Sequence, residues 1–475
     1  ILYNFIVMGW VINAMASVVS VMLNMDKWTA VWLCVIIALI YAILSGFWGV
    51  VITDLVQFVI AMFGSITLAI IALNYVGGME SLLGKLSEYT GTDVVNKNTL
   101  KFIPPIPDAG VTTSTFWESP FSKFLIYISV MWWSHHGTDG GGYIIQRMSS
   151  AKNERHALLA TLWYNLAHYA LRVWPWIIVA VVSIVMFPII PESYNELGSK
   201  AGYPLVMNTL LGPGLKGILI VSFLAAFMST IDTHLNWGVS YLINDIYKRF
   251  YKPNESETHY VFIGKILTVI LMVLAAFTAL KMQSISKAWE FIFAMGAGIG
   301  LVLILRWFWW RVNAWSEITA LATSIFITIT LEIIAYSQAL SNQETYNLFG
   351  TAPVLFGITL QVHHKLMIIV PMAILGWITV TFNTKPEPIE KLKEFYARVQ
   401  PGGWWGPINH DFDHSMQPVT KGIFVLWLAG ILMIYGFTFG IGNLIFQNYA
   451  SSVLLFGCAF TGTYLVWNRN LSKLN

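Results

Sequence analysis

At 475 residues the chain has the length of two or three soluble domains, yet 56% of it is hydrophobic, only 11% is charged, and its mean hydropathy is +0.65. A soluble globule carries about 25% charged residues, so this composition excludes a water-soluble fold and makes lipid the solvent. A net charge of +3 implies no nucleic-acid partner, and two cysteines, Cys34 and Cys458, both in apolar runs, provide neither a disulfide framework nor a metal-binding spacing.

A helix that crosses the hydrocarbon, about 30 Å thick, needs roughly 20 apolar residues. Twelve such runs start near Tyr3, Ala30, Ile52, Phe124, Ala157, Gly217, Val261, Ala288, Glu317, Lys365, Gly422 and Gln447. They predict an all-α polytopic membrane protein, one transmembrane domain over residues 1–475. The apolar segment 349–362 is too short to span and is expected to form an interfacial helix. The chain opens inside an apolar run, Ile1-Leu2-Tyr3, without an initiator Met or a signal peptide, and is read as lacking its natural N-terminus. Basic residues orient the spans. The connections with Arg147, Lys152 and Arg155, with Lys248, Arg249 and Lys252, with Arg306 and Arg311, with Lys385 through Lys421, and with Arg469 and Lys473 hold fifteen. The opposite side holds nine, mostly in longer loops. The first set is therefore expected in the cytoplasm, together with both chain ends. That leaves 77–120 as an external loop and 384–421 as a cytoplasmic loop, neither with the pattern of a separate domain.

Ionisable and polar residues inside spans cost several kcal/mol unless paired or facing water, which makes each a functional candidate. Asp54 lies in Thr53-Asp54-Leu55-Val56-Gln57 at the start of a span; it reads either as a cation ligand or as a carboxylate meeting the positive end of a helix dipole. The segment Trp132-Trp133-Ser134-His135-His136-Gly137-Thr138-Asp139-Gly140-Gly141-Gly142-Tyr143 is poor helix, and unwound backbone at membrane depth is tolerated only where it lines a cavity or is buried in protein. Trp133, His135, His136 and Asp139 are solute-binding candidates here; a metal held by His135, His136 and Asp139 is an alternative without the spacing of two ligands on one helix face, and a phosphate loop lacks its Lys-Ser/Thr. In the next span Asn165, His168, Tyr169 and Arg172 form a stripe, with solute contact set against hydrogen-bonded filler. The span from Gly217 contains Ala225-Ala226-Phe227-Met228-Ser229-Thr230-Ile231-Asp232-Thr233-His234-Leu235-Asn236. Ala226, Ser229, Thr230 and Thr233 share one helical face, offering a carbonyl and three hydroxyls, hard oxygen ligands suited to Na⁺. Asp232 adds a negative charge. Close helix packing explains the small hydroxylated residues by themselves, but not their density beside Asp232, His234 and Asn236. Finally, Glu290 precedes Met295-Gly296-Ala297-Gly298-Ile299-Gly300, a stripe that reads equally as a packing surface or as a flexible joint.

Three of these segments carry a resemblance. Ala225 through Arg249, Thr53 through Gln57, and Tyr143-Ile144-Ile145-Gln146-Arg147 with Ala151-Lys152 resemble the sodium/solute symporter family that includes the sodium–glucose and sodium–proline cotransporters. They occur in the family's order, and the resemblance extends over roughly residues 1–445. It implies two inverted five-helix repeats with extra C-terminal helices, and solute and Na⁺ bound midway across the membrane. By position Ala226 (through its carbonyl), Ser229 and Thr230 match the family's sodium-site residues. Asp54 matches an acidic residue that in some members helps to form or gate a second cation site. Asp232 stands where relatives commonly have Ser, a departure that strengthens cation binding or admits a proton. His168, counted without gaps from Arg147, falls where sugar-transporting members use a lysine on their solute, which speaks against a simple glucose-type site. The glycine run also departs from the relatives. The family carries two or three further helices before the point where this sequence begins, one of which lends carbonyls to the sodium site.

The resemblance therefore implies a sodium-coupled symporter of a small organic solute in the plasma (inner) membrane, functional as a monomer, with Na⁺ as its coupling ion and no enzymatic activity. His168 and Arg172 favour a sugar acid; Asn165, Trp133 and Asp139 suit a neutral sugar. An amino-acid or carboxylate symporter, a non-transporting sensor or channel, and a membrane enzyme using His135, His136 or His168 as general base are the alternatives.

Overall fold

Hydrocarbon offers no hydrogen-bond partner to the backbone, so apolar runs close their bonds internally, and the chain, seen in a computed structural model, is helical almost throughout. The structure describes residues 2–44, 47–88, 100–107, 113–282, 284–409 and 420–469. Among the described residues nine helices are long and apolar enough to cross a membrane, and the bent pair Ile285–Gly296 and Gly300–Phe308 makes a tenth. The other two expected runs are the shorter helix Lys27–Leu44 and a broken one: Pro120–Ile126, a π-helical turn at Tyr127–Met131, then Trp132–Ser134. Parts of the expected loops 77–120 and 384–421 lie outside the described residues. The segment 349–362 is not a helix. Val354–Leu355 and Ile358–Thr359 pair antiparallel as a hairpin, turned by Phe356 and Gly357 at φ of 53° and 77°. A type I′ hairpin turn has positive φ at both central positions, which Gly357 adopts without steric cost.

The chain divides into two units. The first comprises Ile1–Gly91, Trp174–Trp289 and Asn347–Gly350. At its centre lies Leu2–Leu23, whose Met8, Ile12 and Ala16 pack with Phe227, Ile231, Leu235, Leu271 and Ala275. Glycine lets these backbones approach: a Cβ on Gly9 would lie 2.8 Å from Thr278 Cγ2, and one on Gly238 2.9 Å from Leu271 Cδ1. Several polar groups inside this packing are paired, as buried groups usually are, although Ser20 Oγ and Trp32 Nε1 have no hydrogen-bond partner among the described residues. Asn13 Nδ2 donates to the carbonyls of Ala279 (3.0 Å) and Met282 (2.5 Å). Lys27 Nζ reaches the Met282 carbonyl at 3.2 Å, and Lys200 Nζ donates to Asn13 Oδ1 at 3.1 Å. Burial, and secondarily the nearby Lys27, lowers the Lys200 ammonium to about 8. At the head of Lys27–Leu44, Asp26 accepts from the Thr29 N–H (3.0 Å) and hydroxyl (2.5 Å), and these bonds hold its carboxyl below the usual range.

The second unit comprises Thr92–Val173, Glu290–Tyr346 and Thr351–Asn475. Here Ala314–Ser341 and Val362–Asn383 form a pair, joined across their apolar flanks by an ion pair, Lys365 Nζ to Glu332 Oε1 at 3.1 Å, with side chains only 13% and 11% exposed. Thr420–Ile445 and Tyr449–Arg469 pack backbone to backbone. A Cβ on Gly436 would lie 2.8 Å from Ala459 N, so small residues set their distance.

Candidate sodium and solute sites

The sodium candidates other than Asp54 stand on Pro213–Ser240 in the first unit. Its apolar face, Phe227, Ile231 and Leu235, enters the unit's core. Ala226, Ser229, Thr230 and Thr233 stand off that core; Ala226 is exposed and the other three half-buried. Thr230 Oγ1 donates to the Ala226 carbonyl at 3.0 Å, and Thr233 Oγ1 to the Ser229 carbonyl at 2.9 Å. A hydroxyl that sends its proton back to the helix keeps its lone pairs turned outward, which is the arrangement a hard cation requires. Asp232 is 3% exposed and accepts from Asn236 Nδ2 at 3.1 Å. His234, on the other side, meets Asn4 Oδ1 at 3.2 Å within the core. The hydroxyl face and Asp232 lie on the same two turns of the helix, and His234 turns into the core. Asp54 lies within helix Phe47–Tyr75, but its side chain falls outside the described residues.

The solute candidates all belong to the second unit. The glycine-rich segment is unwound as expected: helix ends at Ser134 and resumes at Gly141, with Gly140 and Gly141 at φ of 97° and 67°. Trp133 Nε1 donates to the Ser129 carbonyl, within the π-helical turn, at 2.7 Å. His135 accepts from the Gly137 N–H at 2.9 Å and packs its ring against Phe293 and His136, at 5.1 Å and 5.8 Å between centroids. Asp139 is engaged on both oxygens, accepting from the Gly141 N–H at 3.1 Å and pairing with Arg306 Nη2 at 2.7 Å. Among the described residues no three His, Cys, Asp or Glu side chains converge as a metal site, so the alternative of a metal on His135, His136 and Asp139 has no geometric support.

The stripe at 165–172 is interrupted by a π-helical turn, Leu166–Leu171, which changes which side chains meet. His168 stacks on Tyr164 at 5.1 Å, lies 4.6 Å from the Tyr169 ring and contacts Arg172 Nη2 at 3.2 Å. Asn165 Nδ2 bonds its own helix at the Thr161 carbonyl, 2.8 Å away. Tyr169 is exposed.

Arg306 was placed by sequence among the loop charges. The structure puts it in helix Gly300–Phe308, bridging Asp139 and Glu317 (3.1 Å). An ionisable residue within an apolar run is the sequence signal for it. The glycine stripe is a packing surface at a bend in the helix. The helix bends by 41° at 297–299, and Gly296, Gly298 and Gly300 leave room for His136, for Ser324 and Ala373, and for the Trp133 carbonyl.

The sequence pattern of the sodium:solute symporter family matches residues 1–325, short of the expected reach to 445. The chain is 24% identical over 347 residues to sodium/glucose cotransporter 4 of Danio rerio, covering 68% of this chain and 51% of that protein. It is 24% identical over 320 residues to the osmoregulated proline transporter OpuE of Bacillus subtilis (strain 168), covering 64% and 58%. It thus spans little more than half the length of these relatives. Its fold is similar to the substrate-bound outward-open state of a Na⁺-coupled sialic acid symporter, at a TM-score of 0.52 and 15% identity over 81% of this chain and 73% of that one. The fold is accordingly that of an all-α polytopic membrane protein with an inverted-repeat transporter core and extra C-terminal helices.

Proposed function

The chain belongs to the sodium:solute symporter family, and from that premise we propose that it is a sodium-driven symporter that accumulates a small organic solute by alternating access. The observation that carries this reading is the oxygen-lined face of Pro213–Ser240, turned off the apolar core with the Thr230 and Thr233 hydroxyl protons already committed to the helix. Na⁺ binds the Ala226 carbonyl and the Ser229 and Thr230 hydroxyls, with Thr233 flanking them. Buried Asp232, with Asp54, holds a second cation. Binding from the outer side stabilises the outward-open state, and one repeat then rocks to release both ligands inside. One Na⁺ crossing 100 mV supplies about 2.3 kcal/mol before any concentration term.

Solute binds at Trp133, His135, His136 and Asp139 and at Asn165, His168 and Tyr169, with one copy of the chain as the transport unit in the plasma membrane. A sugar or sugar acid is the favoured class. The tryptophan and tyrosine faces suit a pyranose ring, the Arg172–His168 contact supplies a positive end, and the matched proteins include a sodium/glucose cotransporter and a sialic acid symporter. In proteoliposomes, a panel of labelled sugars, sugar acids and amino acids will show uptake of one class that collapses when choline replaces Na⁺. Uptake indifferent to that replacement would sink the proposal, and binding without accumulation would identify a sensor.

A further inference from the structure

Among the described residues, Arg172 and Lys265 stand eight or more residues from either end of a spanning helix, and Lys365 stands three residues inside one. Arg172 contacts His168 and Lys365 pairs with Glu332. Lys265 is different. It lies eight residues into Glu257–Lys281, roughly 12 Å along the axis at 1.5 Å per residue. It is exposed, and among the described residues it makes no ion pair or hydrogen bond. It lines a cleft of about 320 Å³ in the first unit, formed by the end of Lys27–Leu44, the second half of Pro213–Tyr251 and the start of Glu257–Lys281. Asn236, Asn244, Lys248 and Thr268 add polar groups to its wall; Ile43, Val239, Ile243 and Val261 add apolar ones. The cleft opens where Pro213–Ser240 passes into the π-helical stretch Tyr241–Tyr251, a departure from α-helix of the kind found at functional sites.

Its charge is unbalanced. Lys248 and Lys265 face one carboxylate, Glu257, which is 86% exposed and bonded to Lys248 at 3.3 Å. A pair so exposed is worth little, and among the described residues no carboxylate is paired with Lys265. The side chains leading away from the cleft, Ile43, Val261, Phe262 and Ile266, are exposed apolar surface. By the distribution of basic residues this end faces the cytoplasm, where the leaflet carries anionic lipid.

We propose that this cleft binds an anionic phospholipid. The headgroup phosphate sits between Lys265 and Lys248, with Asn236, Asn244 and Thr268 as further donors, and the acyl chains lie on Ile43, Val261 and Phe262. A lysine reaching upward along an apolar helix to a phosphate is the favourable way to hold its charge at this depth.

The test uses the full chain purified in a neutral maltoside detergent and melted by tryptophan fluorescence, titrated with dioleoyl phosphatidylglycerol, dioleoyl phosphatidylcholine or inorganic phosphate. Phosphatidylglycerol should raise the midpoint saturably, and the other two should not. Because a charge-assisted hydrogen bond is lost, Lys265→Gln should weaken half-saturation by phosphatidylglycerol roughly tenfold, with Lys248→Gln acting in the same direction and Lys265→Arg restoring it. An equal response to phosphatidylcholine, or an unaltered titration in Lys265→Gln, overturns the proposal. A response to inorganic phosphate alone overturns the lipid and leaves a soluble phosphate site. Native mass spectrometry of the wild-type chain, counting retained phosphatidylglycerol against phosphatidylcholine, decides the question if Lys265→Gln fails to fold.

Discussion

Lys200 shows how a single amine can carry a pH dependence. It is half-buried, its Nζ sits 3.1 Å from Asn13 Oδ1, and desolvation followed by repulsion from Lys27 lowers its pKa from 10.5 to about 8. Between those values the unfolded chain holds the proton and the folded chain has released it, so stability rises with pH across that window and is flat below it. The thermal midpoint in detergent should therefore climb between pH 8 and pH 10, and Lys200→Gln should flatten the climb; equal slopes in the two proteins would show that the amine is not desolvated. The hydroxyls of Thr230 and Thr233 illustrate the opposite economy of charge. Their back-bonds to Ala226 and Ser229 satisfy the donor locally and leave acceptor capacity facing out. Sequence could place these oxygens on one face, because helical periodicity alone does that. It could not show that His234, two residues from Asp232, turns into the core against Asn4.

At the scale of elements, the bent pair Ile285–Gly296 and Gly300–Phe308 couples a joint to close packing. A Cβ on Gly300 would overlap the Trp133 carbonyl and lie 2.5 Å from the Ser134 carbonyl carbon, backbone that can move only by shifting the unwound segment behind it. Overpacking of this kind costs about 1–3 kcal/mol. Gly300→Ala should lower the melting midpoint, while Gly217→Ala, where an added Cβ meets nothing within 4 Å, should leave it unchanged or raise it, Ala being the better helix former. A Gly300→Ala protein as stable as the wild type would mean that the 135–140 segment yields freely. The break at 135–140 was readable from its glycines, and the bend at 297–299 was readable as one of two possibilities. The hairpin at 354–359 was not, since two-residue strands carry too little periodicity to be told from a short apolar helix.

For the molecule as a whole, the proposed symport would be coupled through the sparse charges. Asp232 is buried on the helix that carries the hydroxyl face; with the proposed second cation at Asp232, reversal-potential measurements should give two positive charges per neutral solute in the wild type and one in Asp232→Ser. At about 2.3 kcal/mol per charge per 100 mV, the variant loses half of its electrical driving force. A ratio unchanged by the substitution would remove the second cation site. Sequence by itself determined the solvent, the spans and the family: an apolar composition admits only lipid-facing helices, and helical periodicity survives without knowledge of what each helix touches. It also singled out Asp232, Asp139 and His168 as polar residues that hydrocarbon would not tolerate unaided. The partners were decided by tertiary structure alone. Asp139 meets Arg306 across 167 residues, His168 meets Arg172 beside a π-helical turn, and Lys265 is left in an open cleft because its neighbours come from three different helices. Pairing in a membrane is settled by which helices lie side by side, and apolar runs of equal hydropathy do not encode that choice in any local pattern.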